Sequence, residues 1–280
     1  MKLTLSSFLI VDSFTVSAAE TQSRATWKIG ITDWDLRATG RINSFEIAKE
    51  LGYEGVQVSY QPEGSDTLAD KANRTKFTTA AKEAGVNISS FCIGALNSQP
   101  LATTPEAETW VLDCIHAMTE MNVEQVLVPF FGKADITQNE EHFQLVVEKF
   151  RRLAPIAEKN RKILAIESTL SAEQHLKMID AIGSNAVKVY YDTANGVLYK
   201  KFYDVFHEIE LLGKNKLISQ IHFKENRNLL GAGDVNFTTV CEMLEKINYN
   251  NWIVVEGSTT GDWKEAQMAN ALFIKKLLGR

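Results

Sequence analysis

One phrase recurs along this chain: a stretch with helical amphipathic spacing, a glycine or asparagine, then a short apolar run. FEIAKELGYEGVQVSY (45–60), FTTAAKEAGVNISSFCIG (77–94), CIHAMTEMNVEQVLVPFF (114–131) and VCEMLEKINYNNWIVVEG (240–257) are four instances. Glycine or asparagine accepts the left-handed backbone that ends a helix before a strand begins. The apolar runs are rich in Val, Ile and Phe and hardly alternate, as do parallel strands covered on both faces. Eight strands are predicted, over 28–33, 55–60, 87–93, 125–131, 162–167, 187–192, 218–223 and 252–256. Their starts lie 25–38 residues apart, room for one right-handed βα unit each. The predicted fold class is therefore α/β, a (β/α)8 TIM barrel. The competing open doubly wound sheet usually carries a Gly-rich turn after its first strand, where this chain has ITDWDLRATG instead.

Composition narrows the partners. A chain of 280 residues with 45% hydrophobic content can bury one large core, expected here as a single domain over 27–280. The net charge is −5 and no Lys/Arg block stands out, which argues against a nucleic-acid partner. Cys92, Cys114 and Cys241 are odd in number and far apart, so they form neither a disulfide framework nor a CxxC knuckle. They are expected as small buried hydrophobes. Residues 1–26 open with MKLTLSSFLIVDSFTVSAAETQS, where an early lysine, an apolar stretch and Val16-Ser17-Ala18 suggest a signal peptide. Asp12 interrupts the apolar stretch, and a disordered extension is the alternative. Export makes the protein periplasmic or secreted; otherwise it is cytoplasmic. No later apolar run is long enough to span a bilayer, so no membrane insertion is expected after processing.

Barrel chemistry sits where strands end, at the C-terminal face. From the fifth strand onward those ends read ILAIE (Glu167), VYYD (Asp192), QIH (His222) and IVVE (Glu256), separated by 25, 30 and 34 residues. Any one of them could be a strand-end residue hydrogen-bonded to a loop. Four at equivalent heights on adjacent strands would converge, and three acids around one imidazole repel unless a cation holds them. Three carboxylates and one histidine make an oxygen-rich site for one divalent metal ion, with Mn²⁺ or Mg²⁺ favoured over Co²⁺ or Zn²⁺. His116, His142, His175 and His207 lie in helical patterns and are expected at helix surfaces or packing positions.

The segments IESTLSAEQ, YYDTANG, IHFKENRNLLGAGDVNF and WIVVEGS resemble the xylose isomerase-like barrel superfamily of sugar isomerases and epimerases. The resemblance runs from about Trp27 to the C-terminus and is closest to the ketose 3-epimerase and sugar phosphate isomerase/epimerase branch. It implies that Glu167, Asp192, His222 and Glu256 bind one divalent ion and that Glu167 and Glu256 act as acid/base groups. The chain departs from the pattern at Asn195, where ketose epimerases often carry a histidine; Asn195 is a candidate substrate-binding residue there. The stretch between His222 and Arg227 is shorter than in some members.

Such a site suits removal of a proton next to a carbonyl through an enediolate, with Glu167 and Glu256 taking and returning the proton on opposite faces. Return to the same carbon is epimerisation; return to its neighbour is aldose–ketose isomerisation. A 3-keto-sugar lyase or hydrolase shares the enolising half, and a non-catalytic sugar-binding barrel is the alternative of another class. Lys224 and Arg227 could hold substrate oxygens, and Trp34 could floor a sugar. Asp35, Gln57 and Ser59 also lie at strand ends; Glu225 is expected to support the loop, and Gly231 and Gly233 to shape it. The expected partner is a small sugar or keto-sugar, and a homo-oligomer is compatible with the chain.

Overall fold

The structure, a computed structural model, describes residues 26–198, 204–225, 228–257 and 261–280. The leader expected over residues 1–26 thus falls almost wholly outside the described residues. Elements alternate along the chain as β1 (Lys28–Thr32), α1 (Ser44–Glu50), β2 (Gly55–Ser59), α2 (Lys71–Ala84), β3 (Asn87–Cys92), α3 (Ala107–Glu120) and β4 (Gln125–Phe130). There follow α4 (Glu140–Lys159), β5 (Ile163–Ser168), α5 (Ala172–Ile182), β6 (Val187–Asp192) and a helical turn, α6 (Asn195–Leu198). The last part is α7 (Val205–Lys214), β7 (Ile218–Phe223), α8 (Phe237–Lys246), β8 (Trp252–Val255) and α9 (Trp263–Leu277). All neighbouring strands pair in parallel and in chain order, and β8 closes on β1, with Ile31 opposite Val255. The fold is the (β/α)8 barrel that the repeated phrase predicts.

The turn chemistry has the expected cause. Gly85 and Gly183 end α2 and α5 in the left-handed conformation, with φ of 69° and 75°. Asn122 and Asn248 adopt positive φ at the equivalent junctions before β4 and β8. Apolar side chains on the outside of the barrel pack beneath the helices as one continuous core. Inside the barrel, Cys92, Leu127, Ala165 and Tyr190 form a second, smaller layer. All three cysteines are free and buried. Among the described residues, no helix is long and apolar enough to cross a membrane.

Register places the site. Asp192 pairs directly with His222 across β6 and β7, and Glu167 pairs with Pro129 across β5 and β4. A register shift between Val56 and Gln57 sets Gln57 opposite Ser90 of β3, while a second lies between Val189 and Tyr190.

Candidate active site

Four consecutive strands deliver the four polar strand ends to one place. Glu167 lies on β5, Asp192 ends β6, His222 lies on β7, and Glu256 follows β8 directly. One potential ligand atom from each lies within 4.8 Å of all the others. His222 Nδ1 faces all three carboxylates: Glu256 Oε2 at 3.1 Å, Glu167 Oε1 at 3.3 Å and Asp192 Oδ2 at 3.7 Å. Asp192 Oδ1 accepts the backbone N–H groups of Ala194 and Asn195 at 2.7 and 2.9 Å. Its Oδ2 is buried and accepts no hydrogen bond.

Their electrostatics follow from taking three acids out of water together. Burial pushes the Asp192 carboxyl up, and the Glu256 and Glu167 charges add to this against the pull of Lys224. Burial alone would lower His222, but Glu256 and Glu167 carry it up to about 10. Glu256 is pushed up by burial, yet the Lys224 and His222 charges outweigh this and hold it below the usual carboxylate range. The Lys224 ammonium lies 2.9 Å from Glu256 Oε2 and 3.5 Å from Asp192 Oδ2. The His222 imidazole and the Lys224 ammonium thus face the same three carboxyl groups. Asp192 Oδ2, buried without a hydrogen bond and with the Lys224 ammonium 3.5 Å away, stands beside two more carboxylates and an imidazole nitrogen, a donor set that fits a hard divalent cation.

The residues expected around this cluster are distributed as follows. Trp34 and Asn195 line a cleft of about 370 Å³ together with Lys224, Glu167 and Glu256. Trp34 also meets the His222 ring edge-on, with centroids 6.4 Å apart. Asn195 donates from Nδ2 to Glu167 Oε1 at 3.1 Å, so it touches the acid as well as the cleft. Arg227 lies outside the described residues. Asp35 accepts the Gly257 N–H at 2.8 Å and so ties the end of β1 to the chain beside Glu256. Burial and the Glu256 charge raise Asp35 to about 7. Asp33, not singled out from the sequence, accepts from the backbone and hydroxyl of Ser59 at 2.7 and 2.6 Å.

The loop after β7 is filled from within. Glu225 accepts the N–H groups of Gly231 (3.3 Å) and Val235 (3.1 Å), and its carboxyl lies where a side chain at Gly233 would go. Its own carboxylate therefore takes up the Gly231 N–H and fills the space beside Gly233. Of the other histidines, His116 and His207 are exposed and His142 is half-buried. His175 is buried at a helix-packing position, bonded to Ser168 Oγ at 3.0 Å and to the Ser171 carbonyl. Tyr190, whose ring packs tilted against the His222 ring with centroids 4.4 Å apart, carries no mark in the local spacing that singled out the ligands. Its position two residues before Asp192 on an inward-facing strand is the signal that could have found it.

The likenesses to known proteins agree with the barrel fold. A family model described as Xylose isomerase-like TIM barrel matches residues 45–277. The 2-epi-5-epi-valiolone 7-phosphate 2-epimerase of Actinoplanes sp. (strain ATCC 31044 / CBS 674.73 / SE50/110) is 28% identical over 176 residues, or 62% of this chain. The matched part spans 64% of the length of that curated relative. The D-psicose 3-epimerase of Clostridium cellulolyticum H10, solved with D-tagatose, superposes with a TM-score of 0.74 at 17% identity. That match covers 90% of this chain and 99% of the other. The 3-keto-D-glucoside 4-epimerase YcjR of E. coli, solved in its apo form, gives 0.70 at 15% identity, covering 89% and 99%. At these identities the two solved structures speak for the barrel alone.

Proposed function

The chain belongs to the xylose isomerase-like TIM barrel family, and from that membership we propose that it is a divalent-metal-dependent epimerase or isomerase of a small keto-sugar. The observation that carries this reading is the convergence of Glu167, Asp192, His222 and Glu256, with Asp192 Oδ2 buried and without a hydrogen bond, at the floor of a sugar-sized cleft. Those four residues would hold the metal. When bound, it would polarise the substrate carbonyl and offset the negative charge that develops beside it.

The chain's own groups do the rest. Glu167 and Glu256 enter from β5 and β8, strands separated by β6 and β7, so the two carboxylates approach the cleft from different walls. One takes the carbon-bound proton and the other returns it, which inverts the carbon or moves the carbonyl. Asn195 orients Glu167 through its amide N–H. Lys224 points its ammonium into the same space and offers a donor to a substrate oxygen. Trp34 covers one wall and keeps water from the reacting carbon.

Replacing either glutamate by glutamine keeps the shape and removes both a base and an anionic metal ligand. Turnover of the true substrate is expected to fall by about 10²–10⁴-fold in Glu167→Gln and Glu256→Gln, while the sugar still binds. A non-catalytic sugar-binding barrel would bind with no turnover to lose, and full activity in both variants contradicts the proposal. A keto-sugar lyase is told apart by its product, which has lost a substituent.

A further inference from the structure

His222 has two ring nitrogens, and the barrel treats them differently. Nδ1 faces the three carboxylates, while Nε2 points away from them to Gln57 Oε1 at 2.9 Å. Gln57 stands on β2, separated from β7 by β8 and β1, so this contact crosses the barrel interior. Its side chain is wholly buried, and the register shift at Val56/Gln57 is what sets it opposite Ser90. The Gln57 Nε2 donates to Ser90 Oγ at 3.0 Å, which leaves Oε1 turned toward the imidazole. The Tyr190 ring lies against the imidazole and the Trp34 edge against it as well, so the ring has little freedom to swing.

An imidazole that ligates a cation through one nitrogen keeps its proton on the other, and that N–H needs an acceptor. An Nε2–H is present both when Nδ1 serves as a ligand and when Nδ1 carries a proton among the carboxylates. One fixed acceptor therefore suits both states. We propose that Gln57 is a positioning residue for cation binding: its amide oxygen, held by Ser90, keeps the proton on Nε2 and leaves the Nδ1 lone pair for a divalent ion. This inference rests on the metal-dependent reading above.

The test is Mn²⁺ binding to the full chain after chelator treatment, measured by calorimetry beside the thermal midpoint of each metal-free protein. Gln57→Leu removes the acceptor at similar volume and is expected to weaken Mn²⁺ binding by about 10- to 100-fold. Gln57→Glu keeps an acceptor oxygen and is expected to bind at least as tightly as the unaltered protein. Equal Mn²⁺ affinity in Gln57→Leu and the unaltered protein overturns the inference, as does a loss in Gln57→Glu as large as in Gln57→Leu. An unaltered protein that binds no Mn²⁺ instead overturns the metal-dependent reading itself. Should Gln57→Leu not fold, histidine ¹⁵N spectra of the unaltered protein with Mg²⁺ decide. A proton on His222 Nε2 with Nδ1 bare is expected, and the opposite tautomer contradicts it.

Discussion

Lys224 stands where charge is densest. It carries the one ammonium among the described residues lining the cleft, and it touches Glu256 while facing Asp192. Removing it takes a positive charge from among three carboxylates and a donor from the substrate. Lys224→Met is therefore expected to tighten Mn²⁺ binding and to raise KM by roughly 10-fold, the worth of one charged hydrogen bond. Calorimetry and steady-state kinetics on one preparation read the two effects, and a change of the same sign in both affinities contradicts this placement.

The raised Asp192 carboxyl and the His222 imidazole, carried up to about 10, give a pH dependence with a definite sign. His222 holds a proton through neutral pH and beyond, Asp192 only up to neutral pH, and an incoming cation must displace them. Mn²⁺ affinity is therefore expected to rise between pH 6 and 9, by up to about tenfold per unit for each proton displaced. A flat or falling profile contradicts it. At this level the site was half legible. Glu167, Asp192, His222 and Glu256 each break an apolar run at the same point of the repeated phrase, and that pattern is visible in the sequence. The Gln57–His222 contact spans 165 residues and crosses three strand intervals, and no local spacing announces it.

Strands and helices followed from pattern closely because each βα unit is a local event. The observed strands begin where the apolar runs begin, within a residue, and end within a residue of the expected place. Glu256, for example, falls just past β8. What pattern does not carry is how the barrel interior is filled. Trp252 of β8 reaches over Gly30 of β1 to Gly55 of β2, and a Cβ at Gly55 would collide with its ring. The Lys28 ammonium lies 5.2 Å from the centre of the same ring. Two glycines that read as weak strand formers are thus the space an indole needs. Gly55→Ala is expected to cost about 1–3 kcal/mol by overpacking. The thermal midpoint should drop by several degrees, with Mn²⁺ affinity unchanged because the ligands sit at the other end of the strands. An unchanged midpoint contradicts this packing.

Closure of eight parallel strands is what turns separate strand ends into one site. Residues 167, 192, 222 and 256 come together only because β5 to β8 are neighbours in a closed ring. The same ring brings β1 and β2 round to meet them through Asp35 and Gln57. An open sheet of the same elements would lose those last two contacts. The central claim is that this site enolises a keto-sugar with the help of a divalent metal. Its most direct test is solvent deuterium exchange, followed by NMR, across free ketoses, phosphorylated ketoses and 3-keto-glycosides. Chelator-treated and Mn²⁺-restored protein are compared, with Glu167→Gln and Glu256→Gln alongside. One substrate class is expected to exchange its proton next to the carbonyl, only with metal restored and with exchange lost or sharply slowed in at least one of the two variants. No exchange in any class with metal restored, or exchange that survives both the chelator and the substitutions, would contradict it.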